Sequence, residues 1–211
     1  MKNFKTAVNI GHSHLLVGAQ DGIDPAQKDY RWTKEANDNA LLAGVLIREL
    51  ATSAILECAI FQQQGRETLS SLVQRIKVFG PAVMISLHRN CVTNPKACGW
   101  SFWYHGHDAR GKELADNIAS VLSKISNIRG DPAGRVRSDY EIYPPDEKKG
   151  KKGGFGVLRQ LSDRSVVFEG GFISNPEDEV WYDDPAILLA IARAMRLGME
   201  DFAEQTNGIL H

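Results

Sequence analysis

A chain of 211 residues, 43% hydrophobic and 24% charged, is long enough to bury one full core and too apolar to be a solvated tail. With 25 Lys+Arg against 26 Asp+Glu, a formal net charge of -1, it has no overall field to draw in nucleic acid or an anionic membrane. Three cysteines, Cys58, Cys91 and Cys98, are too few for a disulfide framework, and only Cys91 with Cys98 leaves room for a redox-dependent bridge.

Met1 to Ile10 carries two lysines but no apolar export segment or cleavage site. No apolar run approaches the roughly 20 residues of a bilayer span. A chain made without its own export signal or membrane anchor is the expectation, with no membrane insertion.

Thr6 to Ile10 is a β-branched and apolar run ending at Gly11-His12, the pattern of a buried first strand that feeds a loop. Thr33 suits an N-cap, and Leu41, Leu42, Val45, Leu46 and Leu50 recur at helical spacing on one face. Ser53 to Phe61 predicts a second strand, Thr68 to Val78 a helix closed by Gly80-Pro81, and Val83 to Leu87 another buried strand. Trp100 to Tyr104 predicts a strand whose aromatics are core, Gly111 to Ile128 a helix, Val166 to Phe168 a central strand, and Asp184-Pro185 the start of a helix through Phe202. Arg129 to Phe155, with Pro144-Pro145 and Lys148, Lys149, Lys151 and Lys152, has the composition of a long mobile loop and not of an interdomain linker. The alternation predicts a single α/β domain over residues 1–211.

His12, His88 and Glu169 each stand at the C-terminal end of an apolar strand-like run. In an open α/β sheet those ends line one edge, where ligand sites form. Two imidazoles and a carboxylate suit zinc with one position left open, and Glu35 can supply that carboxylate from the start of the Thr33 helix. Glu169 leaves an apolar strand just before Gly170-Gly171, where desolvation would raise its pKa toward that of a general base and acid. His14, two residues from His12, is a rival ligand if the segment is extended. His105 and His107 form a second pair after Trp103-Tyr104, read as surface or substrate-groove residues.

Spacing alone fixes no short metal motif. The segments Asn9-Ile10-Gly11-His12, Lys34-Glu35-Ala36-Asn37-Asp38-Asn39, Ile85-Ser86-Leu87-His88-Arg89-Asn90 and Val167-Phe168-Glu169-Gly170-Gly171-Phe172-Ile173-Ser174-Asn175-Pro176 resemble the motifs of the zinc-dependent N-acetylmuramoyl-L-alanine amidases, which include cell-separation enzymes and phage endolysins. Arg75, Gly99, Leu114-Ala115 and Val157-Leu158-Arg159 also fall where that family has similar residues. The resemblance implies Zn2+ held by His12, Glu35 and His88, with Glu169 as the catalytic glutamate. It implies hydrolysis of the amide between N-acetylmuramic acid and L-alanine in peptidoglycan, the expected partner. It implies a mixed, mostly parallel sheet of about six strands flanked by helices, of the phosphorylase/hydrolase-like kind.

Ser13-His14 and Arg89 depart from the family's usual small residues. A zinc carboxypeptidase or aminoacylase is disfavoured, because its short His-x-x-Glu ligand pair is absent. A non-catalytic wall-binding module is disfavoured because all four site residues are retained. Peptidoglycan lies outside the cytoplasmic membrane, so a phage or prophage endolysin, released by another agent to act in the periplasm or wall, fits a chain of this kind best. A fragment of a larger secreted enzyme comes second. The lysine-rich segment is expected to be a solvated run, with acidic wall polymers or lipopolysaccharide as the alternative partner.

Overall fold

The computed structural model describes residues 3–12, 28–161 and 163–208, with backbone alone over 28–33 and 207–208. Six strands form one sheet in the order β2-β1-β3-β6-β4-β5: β1 (Phe4–Ile10), β2 (Leu56–Gln62), β3 (Val83–Asn90), β4 (Ser101–Tyr104), β5 (Val136–Ser138) and β6 (Ser165–Phe172). β1 pairs parallel with β2 and β3, β3 with β6, and β4 with β5, while β4 runs antiparallel to β6. The expected mixed, mostly parallel α/β domain is thus observed.

Parallel strands covered on both faces must be apolar on both, which is why the first halves of β3 and β6 read as continuous runs. One face carries Val8, Ile10, Ile85, Leu87, Val166 and Phe168, packed under α1 (Lys28–Ala51), α3 (Ala109–Leu122) and α6 (Pro185–Gly208). The other carries Ala7, Met84, Trp103 and Val167 under α2 (Leu69–Phe79) and α4 (Gly156–Leu161). The helix α2 is bounded as its sequence predicts: Thr68 Oγ1 accepts the Ser71 N–H at 3.2 Å, and Gly80 closes it in the left-handed region at φ 67. Trp100, Phe102 and Trp103 are fully buried, which makes the aromatic strand core.

Several expectations change. Thr33 does not cap α1, which already begins at Lys28; no proline or glycine separates the two positions, and a threonine permits a helix start without forcing one. Leu41 is 48% exposed, while Leu42, Leu46 and Leu50 form the buried stripe. The segment from Arg129 to Phe155 contains β5 and two 3-10 turns, Asp139–Glu141 and Glu147–Lys149, structure too short for periodicity to betray. The four-residue α5 (Pro176–Glu179), with Asn175 as its cap, escaped for the same reason. No disulfide joins Cys91 to Cys98.

Candidate metal centre

β1, β3 and β6 run parallel toward one edge of the sheet; His12 follows the end of β1 by two residues, while His88 and Glu169 lie two and three residues before the ends of β3 and β6, which run on past the apolar stretches that the sequence shows. Glu35 Oε1 lies 3.4 Å from His12 Nε2 and 3.4 Å from His88 Nδ1. The ligating atoms of all three lie within 4.8 Å of one another. Two donors about 2.1 Å from one ion at the tetrahedral angle stand about 3.4 Å apart, so the donor set fits a small divalent cation. His14 lies outside the described residues.

Each candidate ligand is held from behind. His88 Nε2 is 3.1 Å from Ser86 Oγ, which also accepts from Asn9 Nδ2 at 2.7 Å. That bond fixes the ring and turns Nδ1 toward Glu35, the orienting role of outer-shell partners in metal sites. His12 sits in the left-handed region at φ 58, a conformation sparsely used by non-glycine residues and concentrated at functional sites. Its carbonyl accepts from Gln62 Nε2 at 3.2 Å, while the Gly11 carbonyl accepts from the buried Asn39 amide at 3.1 Å. Glu35 is buried two turns into α1, beyond reach of the helix-end charge that a first-turn position would offer, and Oε1 accepts the Arg89 N–H at 3.1 Å.

Electrostatics suit a cation. Burial pulls His12 down toward the neutral imidazole. Burial also opposes charge on His88, but Glu35 and Glu169 outweigh it and leave its pKa raised. Burial would raise Glu35, yet the His88 hydrogen bond, the His12 charge and the Arg89 N–H hold it below the usual carboxylate range.

Glu169 stands opposite His88 in the β3–β6 register. Burial raises its pKa from 4.5 to about 7, with His88 opposing and Glu35 adding, and Oε2 is buried without a hydrogen-bond partner. Ion pairing with Arg159 or Arg164 does not explain it. The guanidinium of Arg159 donates to the Gly153 and Gly154 carbonyls, and Arg164 pairs with Asp163. His12, His88 and Glu169 open onto a cleft of about 390 Å³ whose far wall is apolar, from Leu69, Leu72 and Val157.

The sequence profile of the N-acetylmuramoyl-L-alanine amidases matches residues 7–201. The chain belongs to that family. It is 26% identical over 191 residues to a protein of Buchnera aphidicola subsp. Baizongia pistaciae provisionally named an N-acetylmuramoyl-L-alanine amidase, covering 82% of this chain and 84% of that one. Its fold matches the N-acetylmuramoyl-L-alanine amidase of Clostridium difficile 630 with a TM-score of 0.74 at 18% identity, over 97% of this chain and 98% of that one. The catalytic domain of an endolysin targeting Clostridia difficile matches with a TM-score of 0.65 at 21% identity, over 94% and 98%.

Within this amidase-family fold, Arg89 does what sequence reading missed. Its side chain is fully buried and pairs with Asp38 of α1 and with Glu179 of α5, the latter at 2.8 Å, and its guanidinium lies 4.2 Å from the Tyr182 ring centroid. One residue therefore ties α1, which carries Glu35, to the strand that carries His88 and to the segment that follows Glu169. Arg89→Ala removes the buried cation and leaves Asp38 and Glu179 with Lys34 alone, at 3.6 and 3.3 Å, which costs about 3 kcal/mol. A thermal melt should show a Tm lower by on the order of 10 °C, and Arg89→Lys should recover part of it. His105 is paired with an acid distant in sequence: Nδ1 lies 3.0 Å from Asp139 Oδ2. His105, Asp139 and Tyr140 form a cluster of their own, and His107 packs edge-on against Tyr140.

Proposed function

We propose that the chain is a zinc-dependent N-acetylmuramoyl-L-alanine amidase whose metal is held by His12, Glu35 and His88 and whose proton carrier is Glu169. The observation that carries this reading is a buried carboxyl of pKa about 7 beside a His-Glu-His donor set at the mouth of one cleft. Zinc, when bound, supplies polarisation of the amide carbonyl and a water that ionises near neutral pH. The ionised Glu169 accepts a proton from the attacking water, and the protonated Glu169 delivers it to the departing amine nitrogen. Burial raises this carboxyl above the usual carboxylate range, which brings its protonated form within reach at the working pH. The apolar wall formed by Leu69, Leu72 and Val157 keeps competing water away from the reacting amide. We further read residues 1–211 as one catalytic unit acting on the wall as a phage or prophage endolysin, a setting supported by the likeness to an endolysin catalytic domain.

Purified sacculi digested with wild type, chelator-treated and zinc-restored protein, and analysed by mass spectrometry, test this. The expected products are stem peptides with a free N-terminal alanine and intact glycan strands, lost on chelation and regained with zinc. Cut glycans or cut cross-links would overturn the assignment. The endolysin setting predicts rapid clearing of outer-membrane-permeabilised cells, and intact cells after such treatment would argue against it.

A further inference from the structure

The lysine-rich segment forms a built groove beside the catalytic cleft. Residues 142–146 and 150–154, together with Arg159, surround a space of about 700 Å³. The segment is pinned from below by Asp139, whose side chain is fully buried. Asp139 Oδ1 accepts the Gly106 N–H at 2.8 Å and Oδ2 the Phe155 N–H at 2.8 Å, with His105 beside them. Gly154, at φ +66, passes so close that a Cβ there would lie 2.4 Å from Asp139 Oδ2. The chain returns on itself through an Asp146↔Lys151 bridge, with Gly150 in the left-handed region.

The groove adjoins the catalytic cleft. Gly153 and Gly154 line the groove, and the next residues, Phe155 and Gly156, line the cleft. The Tyr143 ring in the groove packs edge-on against Phe155 at 5.4 Å, forming a wall common to both. In a chain of net charge -1 this lining is cationic, with Lys151, Lys152 and Arg159 against Asp146. Lys151 and Lys152 are exposed and enter no ion pair among the described residues, whereas Lys149 meets Asp146 at 3.4 Å.

We propose that this groove is a subsite for the carboxylate-bearing peptide of the substrate, an inference that rests on the amidase reading above. The scissile bond uses up the lactyl carboxylate of the sugar, and N-acetylated sugars carry no other charge, so the anionic groups of the substrate lie on its peptide side. Two lysines at the rim supply the counter-charge, while Tyr143 and Pro145 offer apolar surface to the peptide backbone and side chains.

Binding of a labelled N-acetylmuramoyl tetrapeptide, measured by fluorescence anisotropy, tests the subsite apart from catalysis if the protein also carries Glu169→Gln. Replacing both lysines, Lys151→Gln with Lys152→Gln, should raise Kd about five- to tenfold at moderate salt. The same peptide with its carboxylates capped as methylamides should bind both proteins equally weakly. Lys148→Gln, in the same loop but outside the groove, should leave Kd unchanged. In the active background the double substitution should raise KM for the free-carboxylate substrate and leave kcat in place. An unchanged Kd, an equal loss with the capped peptide, or a lysine-dependent affinity for poly(glycerol phosphate) and not for the peptide would overturn the proposal. Because anisotropy needs no turnover, absence of hydrolysis by the wild type would count against the amidase reading and leave the binding result standing.

Discussion

Glu169→Gln is expected to lower the rate on peptidoglycan by about 10³-fold, within the range that a positioned proton carrier contributes, with the metal still bound. Gln keeps the shape and hydrogen-bonding reach of the side chain but can neither take nor return a proton. Metal content measured on the purified variant separates this result from loss of the centre; a variant that is inactive and metal-free would reassign Glu169 to holding the ion. The same substitution should act on stability in the opposite sense. A carboxyl whose pKa is raised by burial from 4.5 to about 7 weakens the fold as pH climbs between those values, because the unfolded chain ionises first. The cost reaches about 3 kcal/mol once pH exceeds both, and Gln removes it. In chelated protein, where no cation lowers the carboxyl, the variant should melt with wild type near pH 4 and above it by roughly 5 to 10 °C at pH 8. A difference that does not vary with pH would sink the burial account.

The strand-borne part of the site was legible because of how parallel sheets are built. Strands buried on both faces announce themselves as apolar runs, and the polar residue that ends such a run must lie at the sheet edge. This rule places His12, His88 and Glu169, and the structure brings their elements together through the β1–β3 and β3–β6 registers. Glu35 obeys no such rule. It sits two turns inside a helix that runs through the expected cap, and its approach to His12 and His88 depends on how α1 lies across the sheet, which only the family resemblance anticipated. Arg89 was visible as a departure from small residues, but its partners Asp38 and Glu179 are 51 and 90 positions away. Asp139 lies 34 positions from His105, so the acid that meets this ring is not the neighbouring Asp108, which accepts backbone N–H groups instead. Long-range ion pairs leave no periodic trace, and short elements such as β5 and α5 fall below the length at which a period can be read.

Gly11 offers the sharpest test of the metal centre that avoids the ligands themselves. A Cβ at this position would lie 2.3 Å from His88 Cε1, 2.4 Å from Nε2 and 2.5 Å from the Leu87 carbonyl oxygen. The carbonyl belongs to β3 and accepts the Gly11 N–H, so the substitution must displace the imidazole and also strain the end of the β1–β3 pairing. Movement of the imidazole breaks the Ser86 hydrogen bond that turns Nδ1 inward. Gly11→Ala should therefore weaken metal binding about 100-fold, at the upper end of what loss of an orienting partner costs, with about 1–3 kcal/mol of overpacking strain. Activity should fall in step with metal content and recover in part at high zinc. Gly44→Ala is the matched control, since it lies inside α1 with no atom within 4 Å of its Cβ position, and it should stabilise the protein by roughly 0.5 to 1 kcal/mol. Competition with a chromophoric chelator reads the affinity directly, and a Gly11→Ala protein that holds zinc like the wild type would mean the His88 ring leaves Gly11 when the ion is bound.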